Sequence, residues 1–436
     1  MNNKRILGQH LTSQEIFKEH ILPKIQNKLN NFTWIDLYCG EGNLILPILE
    51  LIPEQEREQF FKEHILLFDI SNEMIEKAVE NAKKLGISEK LARKNIKQHD
   101  SLANFPTIKT KFPIFHITNP PYLYIGYIQK HEETKKHLKY FQNSNKGYQD
   151  LYQIALINDL RNKIENIVYI IPSNFLFSAS GTNKIRKDFL PNYNITEAVI
   201  FEKQIFDFTG TNVAILFFQR KKEENNEPIK FKGLKIMDNS QITRDYLLTP
   251  ENKYRAGSEF QDFIKKNKNN LKINYYLMQK EVDANPGEEK VEVIDSNEYL
   301  NNNYTKKLIQ VNNELAKKIR NNILFIRTVD SGSSLRAGLY TIKEEFSAEG
   351  ILVSKNPYRT NPIQIFLTPE LTKEQQIILK DYFNKKLEEL REQTDSEFMT
   401  TYKYSKAKYT RKYLGLSQVR KLIQTFPHSH SSSSQE

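Results

Sequence analysis

A single cysteine, Cys39, is all that this 436-residue chain contains. That excludes a disulfide framework and any cysteine-built zinc cluster. The nine histidines lie at or before His137 or in the tail, at His428 and His430. None forms a helix-face pair with a carboxylate partner, so no metal site is expected. No apolar run approaches the length of about 18 residues at which a membrane span is read. The opening residues, 1–6, are polar and carry no secretory pattern, and a cytoplasmic location is expected. There is no internal repeat. Acid is in short supply: 53 acidic side chains face 64 basic ones, for a net charge of +11 and a pI near 9.2. Enzymes of small metabolites have no need of that excess, whereas a protein that meets phosphate backbones does. A lysine-rich proteome is the blander source of the same bias. With 39% hydrophobic residues over this length, two domains are expected rather than one.

The first half alternates two periods. Apolar runs at 32–39, 64–70, 95–100, 112–118, 166–172, 195–201 and 213–219 read as strands. Helical spacing follows at 44–51, after Ser71, at 150–160 and at 181–190. Ser71 suits a helix N-cap, and Met74, Ile75, Ala78, Val79 and Ala82 line one face of the helix behind it. Strands separated by helices imply right-handed crossovers and a mostly parallel sheet. The last two strands have no helix between them and are expected to make an antiparallel edge. A polar stretch, 223–228, ends in Pro228 and breaks the rhythm, which places a domain boundary at 222/223. Beyond it the period is lost. Short strands at 351–353 and 363–367 and a helix at 373–390 give a mixed α+β second domain, 223–426. A low-complexity tail, 427–436, is expected to be disordered.

Four of the strand ends carry polar groups, where open α/β sheets place ligands. After the first strand come Asp36 and a turn through Gly40 and Gly42. These glycines let backbone pass close to a ligand and open a helix N-terminus. Position 45 is Ile45, not the third glycine of a dinucleotide fingerprint, which favours a cofactor without a pyrophosphate. Asp69 ends the second strand and can accept from two ribose hydroxyls. Asp100 ends the third and could accept from an exocyclic amine. The fourth is followed by Asn119, Pro120, Pro121 and Tyr122. Here the Asn oxygen accepts one N–H, the prolines stiffen the turn and leave a carbonyl for a second, and the Tyr ring offers a stacking face. Each acid alone reads equally as a cap or turn residue. All four in register make that shared explanation improbable. Cys39 reads as a small buried residue.

In this order the motifs resemble those of S-adenosylmethionine-dependent amino-methyltransferases, over about residues 5–220. The resemblance implies a Rossmann-like, mostly parallel seven-stranded methyltransferase sheet over residues 1–222. Gly40, Gly42 and Asp36 would hold the amino-acid end of S-adenosylmethionine, Asp69 the ribose and Asp100 the adenine. Asn119, Pro120 and Tyr122 would receive the amine to be methylated. Gln9 and Thr12 match an N-terminal segment that covers the methionine moiety, although His10 and Leu11 replace its usual aromatics. Asp150, Leu151 and Tyr152 match a helix that backs the cofactor pocket. Phe206, with Phe208 as alternate, matches an aromatic that stacks on the far side of the target base. Cofactor segment first, catalytic segment next and recognition domain last is the gamma order of DNA adenine-N6 methyltransferases of restriction-modification systems.

The activity so implied is transfer of a methyl group to the N6 amine of an adenine flipped out of double-stranded DNA. Residues 223–426 would then be the target-recognition domain. Its best basic stretch, 402–421, holds Lys403, Lys406, Lys408, Arg411, Lys412, Arg420 and Lys421 without an acid, and suits phosphate contact. A solvated charged face is the competing explanation. Arg336 and Arg359 are candidates for reading guanine edges. A separate endonuclease is a possible partner, and a monomer is expected. An RNA adenine-N6 methyltransferase, a protein glutamine methyltransferase, a cytosine-N4 enzyme and a non-catalytic nucleic-acid-binding protein compete. No RNA-binding module, the Asn at 119 and the basic second half count against them.

Overall fold

A computed structural model describes residues 12–178, 180–203, 205–206, 212–330, 336–358, 360–394, 403–404, 410–411 and 414–427. The chain divides into two compact units, Met1–Ala256 and Gly257–Glu436.

In the first unit nine strands build one sheet: β1 (Thr33–Asp36), β2 (Ile65–Asp69), β3 (Ile96–Gln98), β4 (Ile114–Thr118), β5 (Asn166–Pro172), β6 (Tyr193–Phe201), β7 (Val213–Arg220), β8 (Ile229–Ile236) and β9 (Gln241–Leu248). Their order is β3-β2-β1-β4-β5-β7-β6-β8-β9. The first five pair in parallel, and β7 runs antiparallel between β5 and β6. All four residues of β1 are buried, as expected for a strand covered on both faces. The chain leaves β1 toward β2 and β3 on one side and returns to β4 on the other. The strand order therefore reverses beside β1, and a crevice opens at the C-terminal ends there.

The main helices of this unit are α1 (Gln14–His20), α2 (Arg57–His64), α3 (Asn72–Lys84), α4 (Glu89–Asn95), α5 (Leu151–Arg161) and α6 (Asn183–Phe189). The face expected on α3 is the buried one, and the Ser71 hydroxyl accepts from the Met74 amide at 3.4 Å. Where a helix was expected from residue 44, the chain forms a tighter 3-10 turn, Leu46–Leu51, with Pro47 at its start. A proline ring sets the backbone of a first turn and removes a donor.

Two expectations shift. The sheet has nine strands, not seven, because β8 pairs in parallel with β6 and β9 folds back on β8. The antiparallel β6–β7 pair is consequently not at the edge. For the same reason the unit closes at Ala256, beyond the boundary expected at 222/223. The polar run ending at Pro228 is a connection that enters β8, whose burial then alternates.

The second unit holds two four-stranded sheets. One is ordered β10-β17-β14-β15 and the other β11-β16-β12-β13. Their strands are β10 (Lys272–Tyr275), β11 (Leu277–Met278), β12 (Glu289–Leu300), β13 (Asn303–Val311), β14 (Leu324–Arg327), β15 (Gly338–Thr341), β16 (Gly350–Val353) and β17 (Ile363–Thr368). Helices α7 (Ser258–Asn267), α8 (Lys373–Thr394) and α9 (Leu416–Ile423) bury Phe260, Leu379, Phe383 and Leu422 in one core with strand residues such as Ile326 and Ile365. A short ribbon, β18 (Lys403–Tyr404) with β19 (Thr410–Arg411), sets Lys403 opposite Arg411. Among the described residues no helix is long and apolar enough to cross a membrane.

Candidate active site

Parallel pairing of β3, β2, β1 and β4 brings four chain ends side by side, so that Asp100, Asp69, Asp36 and Asn119 follow one another along the sheet's C-terminal edge. They share the wall of an open pocket of about 860 Å³ with Thr12 and Gly40. Tyr38, Glu41, His99, His137 and Tyr140 line it too. Four carboxylates face this space, and its wall contains no Lys or Arg among the described residues.

Each acid has a defined job in the fold. Asp36, with almost no exposed surface, accepts from the Tyr38 amide at 2.9 Å and the Thr118 hydroxyl at 2.6 Å. The second bond ties the end of β1 to the end of β4. Burial pushes the Asp36 carboxyl up to about 7, against the pull of these bonds. Asp69 accepts from the Gly40 amide at 2.9 Å and the Ser71 amide at 2.8 Å, so it holds the glycine turn against β2. Burial raises its pKa as well. Gly40 and Gly42 have φ of 52° and 83°, a region that favours glycine. Asp100 accepts from the Ala103 amide at 3.1 Å, the Tyr140 hydroxyl at 2.9 Å and Lys139 at 3.2 Å. The turn-residue and ligand-residue explanations of these acids are therefore compatible.

Beneath the turn lies a buried polar chain that the sequence reading missed. The Leu37 amide donates to His116 Nε2 at 3.3 Å, and His116 Nδ1 lies 2.7 Å from Asp159. An Nε2 that accepts leaves the ring proton on Nδ1, which donates to Asp159. Tyr169 donates to the same carboxylate oxygen at 2.7 Å. The signal was only residue type: His116 and Thr118 interrupt an otherwise apolar run and, two apart in a strand, share one face.

Asn119 is held on both sides. Its Nδ2 donates to the Thr12 hydroxyl at 2.9 Å, and the Tyr122 hydroxyl donates to its Oδ1. Thr12 is itself tied to the glycine turn, since Asn43 Nδ2 donates to its carbonyl at 3.1 Å. Tyr122 was expected to offer a stacking face. It is buried, and its hydroxyl also reaches the Ile170 carbonyl at 2.5 Å. Behind it, Asp150 accepts from the Leu123 amide at 2.8 Å, and burial raises that carboxyl to about 7. Leu151, next in the chain, lines the pocket.

Other expected residues fall elsewhere. Pro121 lines the pocket, while Gly42, Pro120, Tyr122 and Phe206 are not in its wall. Phe206 is buried. Arg336 is exposed and paired with Glu388 at 3.2 Å. Gln9, Phe208, Arg359, Lys406, Lys408 and Lys412 lie outside the described residues, as do 428–436. Cys39 is buried, and burial pushes its thiol well above the ordinary range.

Residues 18–206, which include Asp36, Asp69, Asp100 and Asn119, match the family model of the Eco57I restriction-modification methylase. The match covers less than half of the chain and falls on the segment that carries the motifs. Solved structures similar to the chain include the Type IIL restriction-modification enzyme MmeI in complex with DNA. It shares 13% identity and a TM-score of 0.48, with 84% of this chain and 64% of that one covered. A modification subunit of a putative type I restriction enzyme from Vibrio vulnificus YJ016 shares 15% identity over 70% and 59% of the two chains, with a TM-score of 0.38. The M protein of the type I enzyme EcoKI shares 13% over 52% and 49%, with a TM-score of 0.39. The chain thus spans about half to just under two thirds of the length of these proteins.

Proposed function

We propose that this protein is a site-specific DNA methyltransferase of the restriction-modification type that moves a methyl group from S-adenosylmethionine to the N6 amine of an adenine flipped out of duplex DNA. The observation that carries the reading is the setting of Asn119. Its amide is oriented by Thr12 and stands at the rim of an acid-lined pocket free of Lys and Arg among the described residues.

The donor set fits the cofactor. A wall with four carboxylates and no Lys or Arg among the described residues is unsuited to a pyrophosphate but suits a cationic ligand that carries hydroxyls and amines. Asp69 and Asp100 each retain acceptor capacity beyond the bonds described, because an ionised carboxylate has about four lone-pair sites. Tyr140 and His137 add ring surface beside Asp100, with centroids 6.0 Å apart. When bound, S-adenosylmethionine supplies the electrophilic methyl group.

The protein's part is to hold the amine. A ring-conjugated amine is a poor nucleophile, and two acceptors for its hydrogens favour a lone pair localised on nitrogen. Asn119 Oδ1 is one acceptor and the Pro120 carbonyl is the other. In this structure the Tyr122 hydroxyl donates to Asn119 Oδ1 while lying 2.5 Å from the Ile170 carbonyl. Rotation of that hydroxyl onto Ile170 keeps it satisfied and releases Asn119 for the amine. Phe206 and Tyr122 are buried and outside the pocket wall, so stacking of the flipped base on them requires both rings to be uncovered; it then recovers about 1–3 kcal/mol per base of the few kcal/mol that flipping costs. The gamma order of the motifs favours adenine N6. The second unit supplies DNA affinity and sequence choice, and the chain acts as a monomer.

Asn119→Ala tests the assignment. Methyl transfer should be lost, while S-adenosylmethionine binding by calorimetry stays within a few fold. Loss of cofactor binding instead would show the pocket to be misassigned.

A further inference from the structure

The second unit presents one surface that the motifs do not explain. Strands β12 and β13 pair to their ends, with Tyr299 opposite Tyr304 and Leu300 opposite Asn303. Only Asn301 and Asn302 remain for the turn, and both have positive φ, 49° and 64°. This is the two-residue hairpin loop that asparagine tolerates. The tip is stiff, yet Tyr299 is 56% exposed and Leu300 69% exposed. Tyr299 lies against Tyr304 with ring centroids 4.7 Å apart, and Tyr304 in turn packs on Phe346.

A bulge between Asp295 and Tyr299 turns Asn297 outward onto a second loop. Asn297 Oδ1 accepts from the Lys355 amide at 2.9 Å, and its Nδ2 donates to the Asn356 carbonyl at 2.7 Å. Asn361 closes the junction by donating to the Ser296 carbonyl. The joined loop exposes Lys355, Asn356 and Tyr358, the last at 57%. Neither 299–306 nor 353–363 contains an acid. The carboxylates at the hairpin's base, Asp295 and Glu298, are both taken by Lys307, at 2.6 and 2.9 Å.

Single exposed apolar side chains are ordinary, but three on two loops joined by hydrogen bonds mark an interaction surface. A protein partner would prefer a broader apolar face. Duplex DNA fits better: narrow protruding tips, negative charge withdrawn, a lysine, and side chains of two useful kinds. Tyr and Leu can wedge at a base step, and Asn can pair with an adenine edge. We infer that the joined tips 297–303 and 355–358 are the base-reading edge of the second unit and enter a groove of the target duplex. Tyr299, Leu300 and Tyr358 form the wedge, while Asn301 and Asn302 read bases. The inference rests on the methyltransferase reading above.

The test uses the full chain, sheared unmethylated genomic DNA and labelled S-adenosylmethionine. It reads DNA retention on filters, cofactor binding, and the methylated positions by sequencing. Tyr299→Ala with Leu300→Ala should weaken retention about tenfold or more, with cofactor binding within twofold. Asn301→Gly with Asn302→Gly keeps the turn's backbone and should methylate a motif relaxed at one or two positions. Both variants retaining DNA and methylating the same positions at the wild-type rate would overturn the inference. So would a variant that keeps DNA but loses concentration-dependent self-association, which would make the tips a contact between copies. If the wild type neither retains nor methylates DNA, the methyltransferase reading fails, and the tip inference falls with it.

Discussion

Thr12 and Tyr122 together set which way Asn119 faces. A primary amide turned by half a rotation exchanges its oxygen and nitrogen, and here Nδ2 donates to the Thr12 hydroxyl while Oδ1 accepts from the Tyr122 hydroxyl. Thr12→Val keeps the volume and removes the acceptor. We predict a kcat lowered about tenfold to a hundredfold, as a misplaced catalytic group produces, with cofactor affinity within a few fold. An unchanged kcat would mean that Tyr122 alone orients the amide. Asp36 makes a second prediction. Its carboxyl rises from an ordinary 3.8 to about 7 in the fold, so it takes up a proton on folding between those values. The folded state therefore loses stability relative to the unfolded chain as pH climbs from about 4 to 7, and nothing further is lost above that. Asp36→Asn removes the effect. The melting temperature of the variant minus that of the wild type should rise across this window and then flatten, as thermal denaturation at several pH values would show. At this scale the polar residues that end apolar runs, Asp36, Asp69, Asp100 and Asn119, were legible because strand ends converge in a parallel sheet. Tyr140 and His137 were not, since a 3-10 helix, Glu132–Phe141, far along the chain from Asp100 brings them back. Nor could residue type reveal that the Tyr122 hydroxyl sits on the acceptor it was meant to serve beside.

Elements explain why the edge is preorganised. The Gly40 amide is taken by Asp69, the Cys39 amide by the Phe68 carbonyl at 2.8 Å and the Leu37 amide by His116. The turn after β1 is thus bonded to both neighbouring strands. Gly42 is its strained point: φ is +83°, and an added Cβ would lie 2.6 Å from Leu46 Cδ1. Gly42→Ala should cost about 1–3 kcal/mol and weaken cofactor binding, measured by thermal denaturation and calorimetry. An unaltered melting temperature would contradict the account. Most strands of the first unit were readable from their apolar runs and flanking turns. The run after Gly42 was read as an α-helix and forms a 3-10 turn, because apolar spacing over six residues does not separate the two periods. Strands β8 and β9 were missed for another reason. Ile229, Phe231 and Gly233 alternate with lysines or a partly buried residue, a clear strand pattern, but Pro228 just before it was taken to end the domain.

For the whole molecule, the proposal that the second unit contacts phosphates rests on the basic stretch 402–421, which contains no acid. Replacing Lys406, Lys408 and Arg411 by Ala should weaken DNA binding and reduce its salt dependence by about 0.9 of a slope unit per lost phosphate contact. Titrations at several salt concentrations measure this, and an unchanged slope would move the backbone contact elsewhere. The second unit was the least legible part of the chain. Its two sheets join strands distant in sequence, such as β10 with β17 and β12 with β16, and short strands with non-local partners leave little periodic signal. The central claim concerns what the first unit does. The direct measurement is methyl transfer from labelled S-adenosylmethionine to unmethylated genomic DNA, with Asn119→Ala as control, followed by methylation-sensitive sequencing. The account predicts label at adenines within one short motif and none with the variant. Label absent from DNA but present in RNA or in protein would contradict it.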